Sequence, residues 1–115
     1  NICSNQALCA LTASVYMSAM GAEGLKQVAV QSMSKAHYLA EALQKIGFEV
    51  IYKGEFFNEF VTKTEKCVDT IMKKLQDNNI LGGFPLGDGK ILWCCTEVVS
   101  KEKIDNCIKI LEEVG

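Results

Sequence analysis

The sequence predicts an α+β domain, with a mostly antiparallel sheet covered by helices on one side. Three observations carry that expectation. The segments read helix, helix, strand, strand, helix, short strand, strand, helix, which is not the strict alternation of a parallel α/β sheet. An Asp88-Gly89 pair ahead of KILWCC marks a hairpin into a central strand, and a short hairpin joins only antiparallel neighbours. The chain has 115 residues, 49% apolar and 23% charged, enough for one packed core and too few for two.

The first element is residues 5–20, NQALCALTASVYMSAM, which carry no charge and are apolar nearly all round. Ser4 is placed to cap this helix and Gly21 to end it. A helix without a polar stripe needs neighbours on several sides, more than one small domain supplies. The second helix is amphipathic. Leu25, Val28, Ala29, Ser32, Ala36, Leu39, Ala40, Leu43 and Ile46 recur at three- and four-residue steps, from an entry after Glu23 to a stop at Gly47. FEVIY and EFFNEFVTK follow as β-branched and aromatic runs parted by Lys53-Gly54, and read as strands. Val68, Ile71, Met72 and Leu75 define a helix that ends near Asp77-Asn78-Asn79. GGFPLGDGK is turn-rich, KILWCCTEVV is the central strand, and Ile104, Cys107, Ile108 and Leu111 close the chain as a helix that Ser100 can cap. No internal repeat or low-complexity segment is present.

Composition excludes several classes of function. The 12 basic residues are all lysines and face 14 acids, with a pI near 5.4, so nucleic acid is not an expected partner. No apolar run reaches the roughly 18 residues of a membrane span, and a soluble, cytoplasmic protein is expected. The start at Asn1, without the basic region of a signal peptide, reads as an internal position of a longer polypeptide. The six cysteines lack zinc-ligand spacing and are expected as small buried hydrophobes in a reducing compartment. Cys94 and Cys95, as strand neighbours, face opposite ways.

No catalytic, cofactor-binding or metal-binding residue is assigned. His37 is the only histidine, sits mid-helix off the apolar stripe, and reads as an exposed or boundary residue with no nucleophile motif to serve. The chain has no arginine, so a self-contained site for a carboxylate or phosphate is disfavoured. Asn58-Glu59 and Thr96-Glu97 place polar groups in runs that are otherwise apolar. Strand alternation makes them solvent-facing positions; the functional alternative is that the strand ends line a cleft against another domain, with Asn58, Glu59 and Glu97 as the residues reaching it.

Taken together, NICSNQALCALTASVYMSAMGAEGLKQVA, FFNEFV, ILGG, a strand ending in CTE and a KEKID helix start resemble the C-terminal segment of glycine decarboxylase, the P-protein of the glycine cleavage system, and within that family subunit 1 of the split bacterial form. The family often carries a longer segment with a Tyr-Pro pair where FPLGDGK stands here. The resemblance implies the small C-terminal domain of a fold type I pyridoxal-phosphate enzyme, residues 1–115, whose helix 5–20 packs on a large domain outside this chain. It also implies that the cofactor is held by a lysine of subunit 2, so that the chain by itself is inactive and binds none, with subunit 2 and the lipoyl H-protein as partners. Alone, the chain is expected to self-associate through its first helix. A free-standing α+β binding or regulatory domain is the rival reading.

Overall fold

One helical track, α1 (Ala7–Lys45), opens the structure, a computed structural model that describes residues 5–114. Gly21 breaks the track with φ 64° and ψ 179°, so α1 is two helices, 7–20 and 22–45, joined at a corner. That backbone region is essentially restricted to glycine. A Cβ at Gly21 would meet nothing within 4 Å, so conformation and not space selects the residue. The stop expected at Gly21 is thus a change of direction, with the second helix resuming at once. Ser4, the expected cap, lies outside the described residues; the first turn is served by Asn5, whose Oδ1 accepts from the Ala7 N–H at 2.9 Å.

Beyond α1 come β1 (Glu49–Val50), β2 (Glu59–Lys63), α2 (Val68–Asp77), β3 (Phe84–Gly87), β4 (Lys90–Cys94) and α3 (Lys101–Glu112). The sheet order is β1-β2-β4-β3, antiparallel throughout, as the hairpin signal requires. Asp88 (φ 51°) and Gly89 (φ 74°) form its tight turn, with the two positive φ values that favour an Asp-Gly pair. Register puts Phe60 opposite Trp93 and Thr62 opposite Ile91, and these four are buried. On the other face Glu59, Lys63 and Cys94 are exposed and Val61 and Leu92 half-buried. All three helices lie on the buried side, where Ala36, Leu39 and Leu43 of α1, Ile71 and Leu75 of α2, and Ile104 and Leu111 of α3 share one core. Trp93 keeps its indole satisfied there by donating Nε1–H to Thr62 Oγ1 at 2.8 Å.

Three strand expectations need correction. FEVIY yields only the two residues of β1, and EFFNEFVTK pairs only from Glu59 onward. Phe56 turns inward to stack on His37 (4.1 Å between ring centroids, 7° between planes) and to meet Phe60 at 5.2 Å, so the preceding residues leave the extended path. The KILWCCTEVV strand ends at Cys94, and Glu97 lies in a turn. The last ladder bond runs from the Cys95 N–H to the Asn58 carbonyl (3.0 Å). The Val99 N–H then bonds the Thr96 carbonyl (3.2 Å), and Ser100 accepts from Lys103 N–H to begin α3. The chain must turn here to bring α3 under the sheet.

Packing stops short of the start of α1. From residue 5 to 31 only Met20, Gly24 and Val28 are even half-buried. The radius of gyration is 17.0 Å, against roughly 13 Å for a compact domain of this length. The helix stands out from the body as an arm.

Candidate functional site

β2 and β4 carry Glu59 and Cys94 to adjacent positions on the open face of the sheet, where the two residues are cross-strand partners. Asn58, one residue ahead of β2, donates from Nδ2 to Cys94 Sγ at 3.5 Å. Partial burial raises the Cys94 thiol above its ordinary value, and the Glu59 carboxylate adds to the rise by disfavouring a second negative charge beside it. The three residues make a small polar cluster at one end of the two central strands, with the sulfur held protonated and poorly nucleophilic.

Glu97 reaches a different surface. Its carboxylate accepts from Ser32 Oγ at 3.4 Å, and its backbone carbonyl accepts from Lys35 Nζ at 2.5 Å. Both donors sit on α1, so Glu97 ties the β4–α3 turn to the long helix. The structure therefore brings Asn58 and Glu59 together through Cys94 and assigns Glu97 to the α1 contact. The alternation argument holds for Glu59, which is exposed beside the buried Phe60, and fails for Glu97, which is off the strand and half-buried.

The cysteines split. Cys95 and Cys107 are buried as expected, and burial together with the nearby Cys95 pushes Cys107 up to about 11. Cys9, Cys67 and Cys94 are exposed, against expectation. Cys9 belongs to the arm and Cys94 to the open sheet face; Cys3 lies outside the described residues. Cys67 is the N-cap of α2, and hydrogen bonds from the Thr70 side chain and the Thr70 and Asp69 N–H groups lower its thiol. His37 is half-buried, as a boundary residue should be, with Nε2 3.0 Å from the Phe56 carbonyl and its ring stacked on Phe56. It braces the 51–58 loop.

Two concavities mark the surface of the described residues. One, of about 450 Å³, is polar and is formed by residues 63–69 with Asp88 and Gly89. The other, of about 660 Å³, is apolar and lies between the 78–84 loop, the end of β4 and α3. Among the described residues no group of three or more His, Cys, Asp or Glu side chains is placed to hold a metal ion, and no helix is long and apolar enough to cross a membrane.

Residues 1–111 match the family described as glycine cleavage system P-protein. The chain is 46% identical to the Thermotoga maritima protein named "Probable glycine dehydrogenase (decarboxylating) subunit 1", covering 97% of this chain and 27% of that one. It is 42% identical to the Chlorobaculum parvum protein of the same name, over 100% of this chain and again 27% of the relative. The chain thus spans about a quarter of the length of these relatives. Among solved structures, a crystal structure of glycine decarboxylase (P-protein) in inhibitor-bound form superposes with a TM-score of 0.89 at 31% identity, over all of this chain and 28% of that one. A C-DES variant with glycine covalently linked to its PLP cofactor superposes over 78% of this chain and 24% of that one, with a TM-score of 0.68 at 14% identity, a likeness of fold alone. The α+β fold is therefore one found in fold type I pyridoxal-phosphate enzymes.

The polar concavity of this chain does not by itself fit that cofactor. A lysine amine beside a cavity and donors for a phosphate would be needed. Lys66 is spent on the carbonyls of Leu111 and Val114, Lys35 on that of Glu97, and Lys74 and Lys101 on Glu113 and Asp105. In the polar concavity, Glu65, Asp69 and Asp88 outnumber Lys63 and Lys66 and oppose a phosphate.

Proposed function

The chain belongs to the glycine cleavage system P-protein family, and from that premise we propose that it is the small C-terminal domain of a subunit 1 of glycine dehydrogenase (decarboxylating). The parent enzyme decarboxylates glycine with pyridoxal phosphate held by residues outside this chain, and passes the aminomethyl group to the lipoyl arm of the H-protein. Subunit 2 is the partner that completes the unit, in the cytoplasm. This chain supplies no reacting group. Its part is to orient and enclose.

The observation that carries the reading is the arm. Leu8 (75% exposed), Leu11 and Val15 form one ridge, and the exposed Tyr16 and Met17 lie roughly 100° and 200° further round the helix from Val15. That spread exceeds the roughly 100° of a single apolar stripe, so one flat neighbour does not cover it. A free-standing domain would leave this surface in water, which counts against the rival reading. A large domain cradling the arm accounts for it, and the relatives are long enough to supply one. Asn58 and Glu59 on the open sheet face, and Glu97 holding the turn to α1, are proposed as positioning residues that border the cleft so formed.

The test uses full-length subunit 1 assembled with subunit 2 and lipoylated H-protein, with glycine-dependent CO2 release as the readout. Activity is expected from the assembly and from neither subunit alone. Glu59→Gln is expected to lower turnover without moving the melting temperature, because an exposed carboxylate with no ion pair among the described residues contributes little stability. No activity from the assembly would overturn the reading. Unchanged turnover in Glu59→Gln would return that residue to an ordinary solvent-facing position.

A further inference from the structure

The arm leaves the body at a corner written in one short run, Gly21-Ala22-Glu23-Gly24. Gly21 alone within α1 departs from helical geometry, with φ 64° and ψ 179°, a conformation that L side chains rarely adopt and glycine holds without strain. Gly24 serves the corner in another way. A Cβ there would stand 3.2 Å from Met20 Cβ and 3.3 Å from Met20 Cε, whereas β-carbons four residues apart in a continuous helix lie roughly 5–6 Å from each other. The bend has closed that gap, and a residue without a side chain leaves room for it. Glu23 falls in the first turn of the helix that starts after the corner, where the helix dipole favours an acid. In an unbroken helix the same residue would gain nothing from its place.

Burial against the body does not set the direction of the arm. Residues 7–19 are exposed throughout, and Thr12, Ser14 and Ser18 donate their hydroxyls to carbonyls four residues back within the arm. Met20, Gly24 and Val28, the half-buried residues of this stretch, follow one another at four-residue steps across the corner itself. We infer that Gly21 and Gly24 form a conformational elbow that holds the arm at its angle before anything covers it, and that a side chain of the L series at position 21 straightens α1 into one helix. Alanine is the strongest helix former and glycine one of the weakest, so Gly21→Ala penalises the bent state and favours the straight one together. The consequence is preorganisation. A body that receives the arm meets it already bent, which removes an ordering cost from that association. The elbow belongs to this chain, whichever body that is.

The test is single-molecule energy transfer on the whole chain, with dyes at the exposed positions of Thr12 and Lys45 and at picomolar concentration, where self-association does not contribute. In one straight helix these positions stand about 50 Å apart, at about 1.5 Å per residue. The unsubstituted chain is expected to give one narrow population at a shorter separation. Gly21→Ala is expected to move that population to about 50 Å. Replacing Gly21 by D-alanine is expected to leave it in place, because φ 64° and ψ 179° mirror an extended conformation that L-residues hold freely. Gly24→Ala should lengthen the separation by less, as Met20 yields to the added carbon. Each variant is expected to unfold at nearly the same urea concentration as the unsubstituted chain, since the buried core begins at Ala36, so the separations are read on a folded body. A separation near the straight-helix value, or a broad spread, in the unsubstituted chain overturns the inference. So does a separation that Gly21→Ala leaves unchanged, or one that D-alanine shifts as far as L-alanine does.

Discussion

The two halves of α1 have the same secondary structure and opposite circumstances. Residues 32–43 press Ser32, Ala36, Leu39, Ala40 and Leu43 into the core, while 7–20 present Leu8, Leu11, Val15, Tyr16 and Met17 to water. The apolar content does not separate them; the charges do. Lys35, Glu41 and Lys45 give the second half a polar back that belongs in solvent, whereas the first half has none. A helix meant to be half-buried is written with two faces, and one meant to be enclosed is written with one. That pattern is the one an enclosed segment carries, and it is why a large domain outside this chain is proposed to cover the arm.

Core truncation should separate the halves most widely. Leu43→Ala, at a fully buried position, is expected to cost about 2–5 kcal/mol in urea unfolding of this chain. Leu11→Ala should stay within about 0.5 kcal/mol, because its side chain is already in water. Equal losses would erase the distinction between arm and body.

A smaller effect is expected in association. The bare ridge favours self-association of this chain, so Leu8→Glu should shift sedimentation toward monomer without altering the melting temperature measured under dilute conditions. A clean monomer for the unsubstituted chain at high concentration would show that the arm tolerates water.

The smallest effect belongs to the surface of the body, where the Tyr38 hydroxyl donates to Asp105 and ties α1 to α3, while Lys101 donates to the same carboxylate from within α3. These bonds, from Lys101 first, lower the Asp105 carboxyl below its ordinary value of 3.8. A carboxyl depressed in the folded state contributes stability that is present above its unfolded value and lost as pH falls through the folded one. Asp105→Asn should therefore melt slightly below the unsubstituted chain at neutral pH, with the gap closing below pH 3.8 and shrinking with salt. A gap that is constant across pH would mean that Asp105 acts through packing.

Much of the fold was legible because local signals agreed with it. The three-four stripe through Leu43, the Asp88-Gly89 turn and the Ser100 cap each act within a few residues, and each stands where the periodicity placed it. The strand bounds were not legible in the same way. Whether Phe56 extends or turns inward depends on His37, 19 residues earlier, and whether Thr96 and Glu97 continue β4 depends on where β2 runs out of partners. For the candidate site, Glu59 could be placed by alternation with Phe60, but the Ser32 and Lys35 contacts of Glu97 span more than 60 residues of chain and leave no mark on spacing.

The sequence by itself determined the α+β class, the order of elements and the charge-free, apolar character of helix 7–20, because those follow from periodicity, turn chemistry and the placement of charge along the chain. Only the tertiary structure decided that α1 turns a corner at Gly21 and continues, that Cys67 stands exposed at the start of α2 with a lowered thiol, and that the 78–84 loop borders an apolar groove. Gly21 permits a stop and a corner alike; the groove is set by which distant backbones approach closely enough to touch, and such approaches are fixed by packing of the whole domain and not by any local run of residues.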